Sequence, residues 1–510
     1  YARTEQKPVA DYVTAAGLSA DGKRLAVTAR GEVFDVPAKS GVTRNITRTP
    51  GANERGADWS PDGKHISDLT GETEIYLQPA EGGDPVQLTT GNDTYIRSLM
   101  WSPDSKTVLY TDRKNRIVTV DVASKQKTVV MQNPEQEFYD VAFSPDSRWI
   151  TYTKPAANDF SVVYVYNLGT KKEYPVTEKW YNSSSPAFST DGKYLVFESD
   201  RDFNPIYGRL EWNHVYTRMG GIYLALLTDD TPSPFLPEDE AVATAAPDKD
   251  EANAKESKGK KDAKAEPLSV EIDPEGMAGR IVKLPLSAGN YWNLHSDGQT
   301  VWYFGNGGTH AFNLQEQEDK LVAEGAVMVP VAGSKKALFM KGNTLYAGEL
   351  PAGKVTLENP VDLSDMVAPI DYPQEWAQIF DEAWRAYRDG FYVANMHGVD
   401  WQAVKEKYAV LVPYAKTRLD LNYIIGEMIA ELACGHAYVN PGEYAKPERI
   451  DMGLLGAELS RDEKSGFYRI DKILPGAPYS EKLRSPLTEP GMGIKEGDYI
   501  TSIDGVSTAS

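Results

Sequence analysis

Over residues 10–365 apolar and polar positions alternate in short runs, as in Leu195-Val-Phe197, and each run is closed by a turn of one kind. Period-two alternation bounded by turn residues predicts half-buried strands. Five of the turns share a phrase: Leu18-Ser-Ala-Asp-Gly-Lys23, Trp59-Ser-Pro-Asp-Gly-Lys64, Trp101-Ser-Pro-Asp-Ser-Lys106, Phe143-Ser-Pro-Asp-Ser-Arg148 and Phe188-Ser-Thr-Asp-Gly-Lys193. Pro presets φ for a tight turn, Asp caps it through its side chain, and Gly or Ser follows where φ turns positive. The aspartates Asp21, Asp62, Asp104, Asp146 and Asp191 lie 41, 42, 42 and 45 residues apart. A sixth copy, Leu294-His-Ser-Asp-Gly-Gln299, comes 106 residues after Asp191, and a degenerate seventh lies at Val331-Ala-Gly-Ser-Lys335. A repeat near 42 residues with several strands in each predicts propeller blades. The expectation is a seven-bladed β-propeller over residues 1–369.

The gap before the sixth copy has two parts. Ser199 to Met219 is an aromatic-rich excursion with Trp212, His214 and Tyr216. Pro247 to Glu266 holds six lysines and six acidic residues and no aromatic residue. Such a stretch has nothing to bury, so a solvated, disordered insertion is expected over about 236–268.

From Asp371 the period changes to 3.6. Trp376, Ile379, Phe380, Ala383, Trp384 and Tyr387 fall on one helical face, with Pro373 in the first turn and Gly390 at the end. Asp400 is placed to cap a shorter helix reaching about Leu411. A third starts near Arg418 and carries Leu421, Ile424, Ile425, Met428, Ile429 and Leu432 on one face. Gly435 stands where a left-handed cap is expected. His436 follows it, and Ala437-Tyr-Val439 reads as a strand. These helices define a small α-rich subdomain, 370–448. Beyond it, Gly453-Leu-Leu-Gly456, Phe467 to Leu474, Pro475-Gly-Ala-Pro478 and Ile494-Lys-Glu-Gly-Asp-Tyr-Ile-Thr-Ser-Ile-Asp-Gly505 follow the order of a PDZ-like α+β domain. It is placed at 449–510 and expected to be truncated, without its last helix and strand.

Composition narrows the partners. The net charge of −20 argues against nucleic acid, whose phosphates need an excess of Lys and Arg. No apolar run approaches the 18 or so residues of a membrane span. One cysteine, Cys434, allows no intrachain disulfide and fits a reducing compartment or a disulfide-free exported protein alike.

The chemistry converges on His436. A histidine just past a rigid helix end is held by packing, as a general base must be. The competing candidates are weaker. His397, in Met-His-Gly-Val-Asp-Trp, reads as structural. His214 has no second ligand at metal spacing, and the sequence contains no His-Glu-x-x-His, paired-cysteine, Gly-x-Ser-x-Gly or Walker pattern, so neither metal nor cofactor is expected. Cys434 lies two residues from His436, a spacing that does not face the two together on a helix.

Propeller, helices ending in Glu431-Leu-Ala-Cys-Gly-His436-Ala-Tyr438, then PDZ: in that order the chain resembles the tricorn protease family of serine peptidases, related to the C-terminal-processing peptidases. Arg44-Asn-Ile-Thr-Arg-Thr-Pro50, Ser199-Asp-Arg-Asp-Phe-Asn204 and Met396-His-Gly-Val-Asp-Trp401 add to the resemblance. It implies that His436 is the general base for a serine nucleophile carried by a domain after residue 510, and that this chain alone is inactive. It also implies a preceding propeller, a peptide or unfolded-polypeptide substrate, a homo-oligomer and a cytoplasmic setting, a periplasmic or exported one being the alternative. In archaeal tricorn a serine precedes the histidine; here Gly435 does. Gly453, Leu454, Leu455 and Gly456 resemble the PDZ loop whose amides capture a peptide carboxylate. The rival reading is a non-catalytic peptide-binding scaffold of propeller and PDZ.

Overall fold

The computed structural model describes residues 3–70, 73–203, 205–237, 268–444, 447–477, 479–480 and 482–509. Most of the charged insertion expected over 236–268 lies outside these. The chain divides into two compact units, residues 1–442 and 443–510.

Among its described residues the first unit has seven consecutive antiparallel blade sheets, six of four strands and the last of three. Blade 1 is formed by Val13–Leu18, Arg24–Ala29, Glu32–Pro37 and Arg44–Asn45. The ring closes where blade 1 meets blade 7: Leu18, Leu25, Val27 and Phe34 share one buried cluster with Leu338 and Leu345. A separate two-stranded ribbon pairs Thr4–Pro8 with Val367–Asp371, the strand that leaves the propeller.

The recurring phrase has a stereochemical cause. In each of the first five blades its serine is buried and its hydroxyl donates to the aspartate two residues on, as in Ser60 Oγ to Asp62 Oδ1 at 2.7 Å and Ser102 Oγ to Asp104 Oδ1 at 2.6 Å. The same hydroxyl accepts the N–H five residues on, and the aspartate accepts the N–H two residues beyond itself. One Ser-x-Asp unit thereby satisfies the whole turn. In blades 3 and 4 serine replaces glycine at the left-handed position, at φ 61° in both Ser105 and Ser147. The strain has a return: Ser105 Oγ accepts Asp62 N–H at 3.0 Å and Ser147 Oγ accepts Asp104 N–H at 3.2 Å, so each latches the preceding blade. Ser102→Ala strips two groups of their partner and is expected to cost about 1–3 kcal/mol, read as a lower midpoint in urea; an unchanged midpoint would show that water replaces the hydroxyl.

Blade 6 departs from the rule. Ser296 directly precedes Asp297, pairs with Val301, and bonds Thr300 O instead. Its turn is two residues shorter than in blade 1, where Leu18 pairs with Leu25.

Three described α-helices follow the propeller: α1, Tyr372–Gly390; α2, Trp401–Ala409; and α3, Arg418–Ala430. Each start has a side-chain cap, expected from the sequence at Asp400. Asp371 accepts Gln374 N–H, Asp400 accepts Ala403 N–H, and Thr417 with Asp420 forms a capping box. Helix α2 stops short of Leu411 because Pro413 has no N–H to give the carbonyl of Ala409, and the chain tightens into the 3₁₀ turn Val412–Tyr414. Trp376, Phe380 and Trp384 pack with Leu421, Ile425 and Met428 in one core. Arg30 of blade 1 pairs with Glu375 of α1 at 3.0 Å.

The second unit has a sheet of Ala457–Arg461, Tyr468–Ile473 and Tyr499–Ile500, with Ala457–Arg461 at its edge. Asp504 and Gly505, both at positive φ, turn the hairpin Ser502–Ile503/Val506–Ser507. Pro478 of the expected Pro-Gly-Ala-Pro turn lies outside the described residues. No described helix is long and apolar enough to cross a membrane.

Candidate active-site histidine and its surroundings

The end of α3 is clamped from two sides. Glu431 accepts from Tyr408 Oη at 2.8 Å and from Lys407 Nζ of α2, and these bonds, Lys407's first, hold its carboxyl below the usual range. Leu432 is fully buried, and its carbonyl bonds His397 Nδ1 at 2.9 Å. The other nitrogen of His397 meets Tyr392 Oη, and its ring packs edge-on against Phe391 and Tyr392. His397 therefore fixes the chain four residues before His436, as a structural residue does.

Helix α3 ends at Ala430, and the bonds from Leu432 N–H to Ile429 O and from Ala433 N–H to Ala430 O tighten its last turn. Two expectations fail here. Gly435 is not left-handed; Ala433 (φ 47°) and His436 (φ 60°) are. The tightened turn reverses the chain two residues early, so Ala433 takes the cap geometry. Residues 437–439 are also not a strand, since no described strand lies beside them to supply a ladder. Ala437 and Val439 instead pack on the helical core.

His436 is exposed, and no described group hydrogen-bonds its imidazole. A left-handed histidine costs about 1–2 kcal/mol relative to the right-handed form, so its orientation is imposed by the clamped segment before it. Cys434 packs with the helical core, and its Sγ points to Gly435 O at 3.5 Å. It behaves as a small apolar residue.

Beside this segment, Tyr438, Val439 and Asn440 wall a cleft of about 460 Å³ between the helices and blades 2 and 3. Arg55, Arg113 and Arg418 also line it. It adjoins a larger cleft of about 790 Å³ between α1 and blades 1 and 2, with which it shares Asn53, Arg55, Ile379 and Glu382. No local signal marks this grouping, because Arg55 and Arg113 come from different blades, 58 residues apart, and Arg418 lies 305 residues further on. In the larger cleft, Glu54 is 3% exposed and bonds Thr49 Oγ1. Burial, reinforced by Asp68 and Glu32, pushes its carboxyl up to about 8. The folded state therefore holds this proton more tightly than the unfolded chain does. Its contribution is intact below the ordinary glutamate range and is lost as pH rises towards 8. Glu54→Gln is expected to raise the thermal midpoint at pH 8, by roughly 2–4 kcal/mol of stability, and to leave it unchanged at pH 4. Equal midpoint shifts at both pH values would contradict this assignment.

In the second unit, Gly453, Leu454 and Leu455 are exposed and Gly456 is left-handed at φ 64°. Among the described residues, no N–H of these four donates a hydrogen bond, and Ser485 Oγ holds Leu455 O at 2.6 Å. Free amides beside an open strand edge suit a peptide carboxylate and an added strand. No described group of His, Cys, Asp or Glu is placed to hold a metal ion.

Three family models match in succession: the tricorn protease second β-propeller domain over 13–348, the tricorn protease C1 domain over 372–430, and the tricorn protease PDZ domain over 453–510. Tricorn protease homolog 1 of Streptomyces coelicolor is 30% identical over 365 residues, 66% of this chain and 33% of its own length. The tricorn protease of Thermoplasma volcanium is 25% identical over 407 residues, 77% of this chain and 38% of its own. The crystal structure of the tricorn protease superposes with a TM-score of 0.83 at 19% identity, covering 99% of this chain and 49% of that one. The chain thus spans about a third of the length of these curated relatives. With a propeller model matching well over half of it, followed by the C1 and PDZ models in order, the chain belongs to the tricorn protease family.

Proposed function

We propose that this chain is the part of a tricorn-like serine endopeptidase that supplies the general base, His436, and binds peptide substrates. The supporting observation is His436 itself, held exposed at the end of a doubly clamped helix in a chain of the tricorn protease family. In the reaction, the imidazole takes the proton of a serine hydroxyl as that oxygen attacks the scissile carbonyl. It then returns the proton to the leaving amine, and water hydrolyses the acyl-enzyme by the reverse sequence. The serine, the oxyanion amides and the acidic partner are assigned to the region after residue 510 in a longer polypeptide. Gly453–Gly456 and the edge strand Ala457–Arg461 receive an extended peptide end. Fluorophosphonate labelling of the longer polypeptide, with mass mapping, tests this: a labelled serine beyond Ser510 is expected, and residues 1–510 alone take no label. A folded longer polypeptide that takes no label would favour the second reading, a peptide-binding scaffold. That reading draws on Gly435 and on the unpartnered His436 ring.

A further inference from the structure

We infer that the cleft walled by Tyr438, Val439 and Asn440 is a carboxylate-binding subsite, with Arg55, Arg113 and Arg418 as its cationic groups and a peptide carboxylate as its ligand.

Three arginines line this one cavity in a chain of net charge −20, and none of the three is ion-paired to a described carboxylate. Arg55 Nη1 donates to Tyr95 Oη at 2.8 Å and its guanidinium lies 4.5 Å from the Tyr95 ring centre; that of Arg113 lies 5.6 Å from the same ring. Arg418 Nε is held by Asn422 Oδ1 at 3.0 Å. The two acids on the cleft wall are already engaged, Glu382 with Arg385 at 3.2 Å and Asp389 with Arg388 at 2.7 Å. Positive charge here is therefore unbalanced. Nε and Nη2 of Arg55 are shielded from water and unpartnered, an unfavourable state that a nearby anion offsets through space. Burial likewise lowers Arg418, only partly countered by Glu375. Arg113 is exposed and its guanidinium makes no hydrogen bond or ion pair among the described residues, so its fork is free to take a carboxylate side-on. Tyr95 and Ile379 add an apolar floor for the residue bearing that carboxylate.

The inference rests on the peptidase reading only for its choice of ligand, and its test needs no turnover. Fluorescein-labelled tripeptides are titrated into residues 1–510: one with a free C-terminal carboxylate, its C-terminal amide, and an amide carrying one aspartate. The carboxylate peptide is expected to bind at least about tenfold more tightly than the plain amide, and Arg113→Gln to remove that advantage. Binding of the aspartyl amide equal to that of the free acid would place an acidic side chain at the site; binding like the plain amide would place the terminal carboxylate there. The PDZ-like loop is silenced as a source of signal by repeating the titration with Gly453→Pro, which should not alter the Arg113 effect. Equal affinity for acid and plain amide, or an Arg113→Gln variant indistinguishable from the parent, would overturn the assignment while leaving the serine-labelling result untouched.

Discussion

His436→Ala, introduced into a longer polypeptide that carries the serine, is expected to lower kcat/KM on a short peptide substrate by about 10⁴-fold or more. The size follows from the role. Without a base the serine hydroxyl remains protonated near neutral pH, and what survives is the contribution of binding and oxyanion stabilisation alone. The substitution is also a clean one. His436 is exposed, and no described group bonds its ring, so deleting the imidazole leaves no buried partner unsatisfied. The thermal midpoint should therefore stay within a degree or two, since surface changes of this kind are worth about 0.5 kcal/mol. Retained activity within tenfold of the parent, in a protein with an unchanged midpoint, would remove His436 from the mechanism. His397→Ala makes the informative companion. It breaks the bond to Leu432 O and the ring contacts with Phe391 and Tyr392, so it should lower activity by loosening the segment and lower the midpoint as well.

Trp384→Ala is expected to destabilise the helical part by roughly 4–5 kcal/mol. Two effects add. The indole is buried in the helical core, where truncating an aromatic leaves a cavity. It also takes part in a reciprocal exchange: Trp384 Nε1 donates to Trp401 O at 2.9 Å, and Trp401 Nε1 donates to Trp384 O at 3.0 Å. Those two bonds tie α1 to the start of α2. Removing one indole leaves a buried carbonyl without its donor, and Trp384→Phe isolates that share at about 1–3 kcal/mol. Circular dichroism should show helical signal lost at a lower temperature than in the parent, with the strand signal of the propeller melting later. A single transition at the parental midpoint would mean that the pair of bonds contributes little.

Five of the seven blades were legible because their turns repeat a chemical device. Ser-x-Asp satisfies two backbone donors and the serine hydroxyl at once, so the phrase recurs wherever that turn recurs, and the spacing of Asp21, Asp62, Asp104, Asp146 and Asp191 is the spacing of the first five blades. The helices were readable from their apolar faces, with Asp400 announcing the start of α2; the caps at Asp371 and Thr417 emerged only in the structure. What escaped reading was decided by tertiary contacts. Nothing local distinguishes Ala433 from Gly435 as the left-handed residue; the early end of α3 makes the choice. Ala437 to Val439 has strand composition but no neighbouring strand. The shorter turn of blade 6 hides behind a phrase that keeps its Asp-Gly. Arg418 joins Arg55 and Arg113 only once the helices rest on the propeller, and Glu54 becomes a reluctant acid only through the burial and the carboxylates around it. His436, by contrast, reads from the sequence as lying just past the third helix, and it stands there exposed.

The ribbon of Thr4–Pro8 with Val367–Asp371 sets the order in which this molecule can be assembled. Its register couples Thr4 to Asp371, the residue that caps α1, across almost the whole propeller. Closing a loop of that length carries an entropic penalty of about 5 kcal/mol, and such non-local pairings form late. Blades can condense one after another from neighbours in sequence, but the clasp waits for all seven. The first helix is then seated by the last event in ring closure, with Tyr372 Oη reaching Glu5 at 2.6 Å across the same seam. A helical module docked this way is coupled to completion of the ring: an unfinished propeller has no anchored α1, and so no fixed histidine.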